Sequence, residues 1–375
     1  MSAEIFSKPS LIIPANQSLV FGIQDTTATP DRFIVWVYEG AVQIAKLYLT
    51  PNTSSKSFFN LAEVVIGRVK VDDKIRDESA TLLSHSSQPF TTGRNGLKEY
   101  TVEVGRYEGG VESAVQDSDK VYLLDGTEQI SAGLHPSFAD YYTTAATQKV
   151  WLTDRIPVSN VITLTASDDD EGCIAFLNDN TIIGGLGATV ETIVRNGAGT
   201  SLATFYDTIN GGNGAQLPSD SNISQKLTYL MVFPKNIEQW GSGVLSSNPT
   251  WNSYDVTIKS GALATRSNTL KIQRLCTQDK HKNTQLAWTN SVGGWDSVLF
   301  TGRTEHTDTV SSKPFTKEIG DWDASSYSFL PQAREMSAYQ ITGKSTFVLT
   351  SVSFSFADIE LIKYAIRSDN LMIRA

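Results

Sequence analysis

The feature that most constrains the fold is a two-residue hydrophobic periodicity that recurs along the chain. In KEYTVEVGRY (98–107), Tyr100, Val102 and Val104 alternate with polar residues, which is the pattern of a strand with one buried face. Gly, Asn, Asp or Pro bound most of the comparable runs, so the sequence predicts a mainly β protein of two to three β-sandwich (Ig-like) domains. The further strand candidates are VYLL (121–124), VWLT (150–153), VITLTA (161–166), CIAFL (173–177), LTYLMVF (227–233), YDVTIKS (254–260) and TLKIQRL (269–275).

A few short helices are expected beside these strands. NLAEVVIGRV (60–69) offers Asn60 as an N-cap and Gly67 as an early stop, which predicts about two turns. The clearest helix is SFADIELIKYAIRSDN (355–370), where Ile359, Ile362 and Ile366 share one face. The closing LMIRA is expected to be a last strand.

Polar, Gly-rich stretches at 106–120 and 274–285 mark candidate domain boundaries. They predict an N-terminal β-sandwich at 1–107, a middle β domain with long loops at 108–277, and a C-terminal β domain with the terminal helix at 278–375. Polar loops at 72–97 and 210–225 are expected to become ordered between subunits.

Composition excludes several functional classes. The net charge is -9 with no basic run, which disfavours direct nucleic-acid binding, because that binding depends on clustered Lys and Arg. No apolar segment approaches the length of a membrane span. The N-terminus has no signal-peptide pattern, so synthesis in the cytoplasm without export is expected.

Motifs that could carry chemistry are weak. AYQITGKS (338–345) approximates a phosphate-binding loop, but STFVLTSV follows it where a helix should begin, so we expect a strand, a turn at Gly343-Lys344 and a second strand. The acids of SDDDEG (167–172) fit a solvated turn better than a calcium loop. We therefore expect no catalytic residue, no cofactor, no metal and no enzymatic activity.

Tryptophans offer the best candidates for surface recognition. Trp240, Trp251 and Trp322 stand in the loop-like contexts IEQWGSG, NPTWNSY and GDWDASS. Exposed aromatics of this kind serve as interface or ligand contacts, and interface burial is the favoured interpretation of the two.

The stretch LAWTNSVGGWDSVLFTGR (286–303) concentrates unusual residues, yet none of them is a nucleophile or a metal ligand. Two strand-like runs that carry Trp288 and Trp295 flank a compact connection. Asn290 can cap the turn, while Gly293 and Gly294 permit positive φ. We interpret the stretch as a structural hairpin.

This stretch also carries a family resemblance. Its pattern W-x-N-x-x-G-G-x-D-S-x-x-F-T-G resembles a segment of virion proteins from tailed phages that infect Bacteroidetes, including crAss-like phages. Three other segments are similar to the same group: the hairpin, Pro-Asn loop and short helix of 31–69, the QKVWLTDRIP element of 148–157, and the strand–helix–strand of 351–375.

The resemblance implies a tail, neck or ring protein built from β-sandwich domains, and it supplies no catalytic residue. Its partners would be copies of itself in a symmetric oligomer and other virion proteins, and its location would be the virion. The alternative is a receptor- or glycan-binding protein at the tail tip, which would contact the host surface through exposed aromatics. A hydrolase of host polysaccharide is a third and weaker hypothesis.

Overall fold

The computed structural model describes residues 3–9, 12–15, 17–27, 29–69, 90–92, 96–126, 150–177, 189–208, 227–259, 263–275, 283–316, 321–322, 327–328, 336–351, 356–366, 368 and 371–374. Over these ranges the chain is mostly β-strand with three short helices, so the predicted mainly β class is confirmed. The predicted loops at 72–97 and 210–225 lie almost entirely outside the described residues.

The strands of the first half are β1 (Ala3–Ser7), β2 (Ile12–Pro14), β3 (Val20–Asp25), β4 (Arg32–Glu39), β5 (Val42–Leu49), β6 (Lys56–Asn60), β7 (Phe90–Thr92), β8 (Leu97–Glu108), β9 (Val111–Glu112), β10 (Asp117–Leu124), β11 (Trp151–Leu152), β12 (Val161–Ala166) and β13 (Cys173–Leu177). Those of the second half are β14 (Thr189–Asn196), β15 (Ser201–Thr208), β16 (Leu227–Met231), β17 (Trp251–Lys259), β18 (Thr269–Arg274), β19 (Thr284–Thr289), β20 (Trp295–Phe300), β21 (Thr304–Thr316), β22 (Asp321–Trp322), β23 (Tyr327–Ser328), β24 (Met336–Leu349) and β25 (Leu371–Arg374). The helices are α1 (Ala62–Val65), α2 (Pro234–Trp240) and α3 (Phe356–Ala365). Every strand candidate named from the sequence coincides with one of these strands.

A first β-sandwich forms from two sheets, one ordered β1-β3-β6 and one ordered β2-β10-β8-β4-β5 with β9 paired to β8. In β8 the predicted alternation is confirmed, because Tyr100, Val102 and Val104 are fully buried while Glu99, Thr101 and Glu103 are half-buried. The apolar run of β4 is buried from Phe33 to Val37. Residues of both sheets share one hydrophobic core, which is the defining feature of a sandwich.

A second β-sandwich forms from a sheet ordered β11-β13-β16-β7 and a sheet ordered β12-β18-β17-β14-β15. Its core includes Trp151 and Phe176 from the first sheet and Tyr254 and Ile272 from the second. The opposite face of the first sheet is buried too. There Leu152, Ala175 and Tyr229 contribute to a third apolar cluster, together with Val292 and Trp295 near the β19–β20 turn.

The predicted structural hairpin is β19–β20, which joins β25 in a sheet ordered β20-β19-β25. In the antiparallel register of β19 with β25, Gln285 lies opposite Arg374 and Trp288 opposite Leu371. The predicted last strand is therefore confirmed, and it is the strand that completes this sheet.

Helix α3 packs through Leu361 and Ala365, which are buried at 3% exposure each. On the isoleucine face, Ile359 and Ile366 are 46% and 80% exposed, and Ile362 is half-buried. The isoleucine face is therefore not the one that meets the core. No helix in the described part of the chain is long and apolar enough to cross a bilayer.

The described residues fall into two compact units. The first comprises residues 1–278, 285–299 and 354–374, and the second comprises 279–284 and 300–353. The division into three domains at 107 and 277 stays a prediction.

The second unit contains a long antiparallel pair, β21 with β24, whose register runs from Thr304 opposite Leu349 to Thr316 opposite Met336. The predicted turn at Gly343-Lys344 is wrong, because β24 passes through both residues as one continuous strand. A phosphate-binding loop needs a turn into a helix at this point, and the strand geometry excludes it.

Candidate functional site: a buried polar junction around Asp296

The turn between β19 and β20 is organised by the side chain of Asn290, which is fully buried. Its Oδ1 accepts hydrogen bonds from the backbone N–H groups of Val292 (3.1 Å) and Gly294 (2.8 Å). Its Nδ2 donates to the carbonyl oxygen of Leu152 (2.8 Å) and to Asp296 Oδ2 (3.1 Å). One amide therefore shapes the turn and ties it to β11.

The two glycines of this turn are required for different reasons. Gly293 has φ +81°, a conformation that favours glycine. Gly294 does not have a positive φ, contrary to the expectation for it. Instead, a Cβ on Gly294 would lie 2.0 Å from the carbonyl oxygen of Leu152, so only glycine lets the turn approach β11 this closely.

The segment after β11 binds the hairpin through two aspartates in a reciprocal arrangement. Asp296 of β20 accepts hydrogen bonds from the hydroxyl of Thr153 and from the backbone N–H of Asp154 (2.8 Å). In return, Asp154 accepts hydrogen bonds from the hydroxyl of Ser291 and from its backbone N–H (2.9 Å). Each carboxylate thus satisfies donors on the other segment.

Arg155 extends this network to helix α3. Its Nη2 donates to the carbonyl oxygen of Ser297 (2.7 Å), and its Nη1 lies 3.1 Å from Asp358 Oδ1. The Arg155 side chain is only 11% exposed, so the ion pair with Asp358 is better shielded from solvent than a typical surface pair. Together with the β19–β25 pairing, this contact fixes helix α3 and strand β25 to the middle of the chain.

Burial dominates the electrostatics of the two aspartates. It raises the pKa of Asp154 to about 7, with a further contribution from the charge of Asp296. Burial also raises the pKa of Asp296, although Arg155 and the donors around it oppose this effect. Because two close buried carboxylates disfavour double ionisation, the pair holds a proton more readily than exposed aspartates do.

A small cleft lies beside Asp296. Its lining residues are Glu171, Gly172, Cys173, Phe233, Gln285, Ala287, Trp295, Asp296, Ser297 and Met372. Within the described ranges, no three His, Cys, Asp or Glu side chains lie close enough together to hold a metal ion. Two of the four acids of 167–172 take part in ion pairs, Asp168 with Arg274 and Glu171 with Lys235, and Asp170 accepts hydrogen bonds from the backbone N–H and hydroxyl of Ser167.

The tryptophans predicted as surface contacts have other environments. Trp251 is only 4% exposed, packs beside Tyr254 at a ring-centroid distance of 5.7 Å and lies under the Arg274 guanidinium at 4.7 Å. Its expected exposure is wrong, because it begins strand β17 and points into the second core. Trp240 is partly buried against that core and donates its Nε1–H to the Met231 carbonyl oxygen (3.0 Å). Trp322 is in β22, and its side chain is outside the described residues.

Sequence reasoning placed Trp288 and Trp295 in the hairpin, where they are 0% and 6% exposed. The sequence did not indicate that Thr153, Asp154 and Arg155 bind this hairpin. The available signal was a polar Thr-Asp-Arg run directly after the apolar Val-Trp-Leu of 150–152.

No protein-family profile matches the chain, and no curated protein matches it. Among solved structures, it is similar to a two-domain fibronectin type III segment of chicken tenascin, with 8% identity and a TM-score of 0.25 over 80% of this chain and 100% of that one. It is also similar to the FN1–FN3 domains of chicken CNTN1, with 9% identity and a TM-score of 0.19 over 72% of this chain and 67% of that one. A third such structure is the calcium binding domain CBD12 of CALX1.1, with 11% identity and a TM-score of 0.20 over 70% and 96% of the two chains. These TM-scores are too low for the neighbours to support an argument. The β-sandwich architecture rests instead on the sheets and cores described above.

Proposed function

We propose that the chain is a structural component of a tailed-phage virion, in the tail, the neck or a ring, and that it assembles into a symmetric oligomer through β-sandwich surfaces. The observation that carries the proposal is the polar junction. Three of the four segments that resemble phage virion proteins, 148–157, 286–303 and 351–375, meet in it through Asp296, Asp154 and the Arg155–Asp358 ion pair.

In the fourth segment, 31–69, asparagine side chains likewise accept hydrogen bonds from backbone N–H groups. Oδ1 of Asn52 accepts hydrogen bonds from the N–H groups of Ser54 (2.9 Å) and Lys56 (3.0 Å), which fixes the Pro-Asn loop. Asn60 Oδ1 accepts from Leu19 N–H (2.8 Å) and from Ala62 N–H (3.2 Å) at the start of α1. The residues that carry the resemblance therefore set loops and junctions.

Rigid architecture suits a part that is repeated around an axis. A symmetric assembly uses the same contact in every copy, so a subunit must present that contact in one geometry. The buried cores and the hydrogen-bonded junction favour such a geometry in this chain. The net charge of -9 favours protein neighbours over direct contact with DNA.

Receptor or glycan binding at a tail tip is less well supported. That function was expected to use Trp240 and Trp251 as exposed platforms. Trp251 is buried, and Trp240 packs edge-on against Phe205 with ring centroids 5.1 Å apart. Trp251 therefore offers no open ring face of the kind on which a sugar stacks, and Trp240 is partly buried.

Immunogold electron microscopy of particles whose genome encodes this chain tests the proposal. Fab fragments raised against the full chain should label one axial position, at the neck or along the tail, on intact or partly disassembled particles. Fabs pre-absorbed with the purified chain serve as the matched control. An absence of specific labelling on both kinds of particle would overturn the virion role.

A further inference from the structure

The two aspartates of the polar junction are bound by neutral donors. Asp296 is 4% exposed and Asp154 is half-buried. In the described part of the chain, the hydrogen bonds to their carboxylates come from the hydroxyls of Thr153 and Ser291, the backbone N–H groups of Asp154 and Ser291, and the amide of Asn290. Neither carboxylate is therefore held by a cation at hydrogen-bond distance.

A negative charge in this setting is costly for one of the two acids. Burying a carboxylate without a cation beside it costs free energy, and two close carboxylates repel each other. Asp296 accepts three of the hydrogen bonds and lies in the field of Arg155, so it keeps its charge. Within the described residues, Asp154 accepts hydrogen bonds only from Ser291. The proton of the pair therefore belongs to Asp154.

The charged groups on the neighbouring elements are paired with one another. Arg155 forms an ion pair with Asp358 of helix α3. Glu171, which lines the cleft beside Asp296, forms an ion pair with Lys235 of helix α2. Balancing a second negative charge at the junction therefore requires water or the loss of one of these ion pairs.

The turn between β19 and β20, residues 290–294, lies outside both sandwich cores. Val292 packs in the third apolar cluster at 1% exposure. A Cβ on Gly293 would lie 2.8 Å from Leu124 Cβ and 3.0 Å from the carbonyl oxygen of Asp125, so the end of β10 faces the turn with apolar and backbone atoms. A segment attached in this way can open while the cores remain folded.

We infer that the polar junction is a pH-dependent latch, in which one proton on the pair Asp154 and Asp296 keeps the β19–β20 turn bound to the segment after β11. Loss of that proton releases the turn, because both carboxylates gain hydration when the two segments separate. The half-buried position of Asp154 gives its proton a path to solvent. The latch goes beyond the virion role and does not depend on it.

The latch closes in acid and opens as the pH rises. Asp154 has a pKa of about 7 in the closed junction, against an ordinary value of 3.8, so the closed state binds the proton more tightly than the open state. The contribution of the proton to closure is fully present below pH 4 and is lost as the pH rises through about 7. Between pH 5 and pH 8, the population of the open turn should rise at least about tenfold.

Labelling of a buried thiol in the turn measures this release. In the full chain with Cys173→Ala and Cys276→Ala, Val292→Cys places a thiol at a position that is 1% exposed. Its rate of reaction with dithiodipyridine is divided by the rate for an unstructured cysteine peptide at the same pH, which removes the titration of the thiol itself. The normalised rate should rise at least about tenfold from pH 5 to pH 8.

Two matched variants separate the latch from general unfolding. Val256→Cys, in strand β17 at 0% exposure, should change by less than about twofold over the same range, because the core stays closed. Adding Asp154→Asn to Val292→Cys should abolish the rise, because the asparagine is neutral at every pH. No rise for Val292→Cys, an equal rise for Val256→Cys, or a rise that persists with Asp154→Asn would each overturn the latch.

Hydrogen exchange of the unmodified chain gives a second measurement that needs no substitution. Relative to their intrinsic exchange rates at each pH, the amides of 290–294 should lose at least about tenfold of their protection between pH 5 and pH 8. Those of β17 should keep theirs. Constant protection of the turn over this range would overturn the latch even if the cysteine variants failed to fold.

Discussion

Gly294 lies so close to β11 that the contact leaves no room for a side chain. A Cβ at this position would be 2.0 Å from the Leu152 carbonyl oxygen, so either the turn or β11 would have to move. Such a shift would also stretch the hydrogen bonds that Asn290 makes to both segments.

Gly294→Ala is therefore expected to lower the free energy of unfolding by about 3 kcal/mol, at the upper end of overpacking effects. Gly197→Ala is the matched control, because a Cβ there meets nothing within 4 Å, and it should change stability by less than about 0.5 kcal/mol. Urea unfolding monitored by tryptophan fluorescence measures both. Equal midpoints for the two variants would contradict the close packing of the junction.

Asp154 links the stability of the junction to pH. Its pKa of about 7 in the folded protein lies above the ordinary value of 3.8, so the folded state binds this proton more tightly than the unfolded state. The contribution of Asp154 is therefore fully present below pH 4 and is lost as the pH rises towards 7. Asp154→Asn stays neutral and keeps an acceptor for the Ser291 N–H.

The variant should accordingly gain stability relative to the wild type as the pH is raised from 4 to 8. Because other groups titrate in both proteins, the measured quantity is the difference between their free energies of unfolding at each pH. A difference that stays constant across this range, or one that shrinks, would show that Asp154 is already ionised in the folded state.

Residue-scale prediction from the sequence succeeded where the cause is local. The alternation around Val102 follows from the strand period, and the turn from Asn290 to Gly294 follows from the capping side chain of Asn290 and the positive φ of Gly293. The contact of Asn290 with Leu152 spans 138 positions, and no local pattern encodes it. The exposure predicted for Trp251 was wrong because its polar sequence neighbours do not indicate that a buried strand begins there.

At the scale of elements, helix α3 packs through Leu361 and Ala365. The sequence analysis named only the isoleucine face of this helix, and periodicity alone does not show which face meets the core. The Arg155–Asp358 ion pair contributes to the orientation of the helix, because it holds the first turn of α3 against the hairpin.

Leu361→Ala is expected to cost about 2–3 kcal/mol of stability, as a buried leucine does. Ile366→Ala, on the same helix at 80% exposure, should cost less than about 0.5 kcal/mol. Thermal unfolding measures the pair. A larger cost for Ile366→Ala than for Leu361→Ala would mean that the helix is packed the other way round.

Strand β24 shows a second limit at this scale. Gly343-Lys344 is an acceptable turn in isolation, but pairing with the whole length of β21 keeps the chain extended through both residues. Tertiary pairing thus overrides the local turn signal. It also produces the long two-stranded ribbon, which could not be inferred from a predicted hairpin half its length.

For the whole molecule, composition and strand spacing were enough to predict a mainly β protein with sandwich cores. How the strands are distributed among sheets was not predictable. For example, β7 pairs with β16 across more than a hundred residues, and the C-terminal β25 completes the sheet of the hairpin. The β19–β25 pairing brings the C-terminal strand beside the hairpin, which no local pattern encodes.

The proposed place of this chain in a virion can be tested by quantitative mass spectrometry of density-gradient-purified particles. A virion component should be present at a fixed ratio to the portal protein in the same sample, for instance equal to it or half of it. Absence of the chain from purified particles, or a ratio that varies from one preparation to the next, would overturn the proposed virion role.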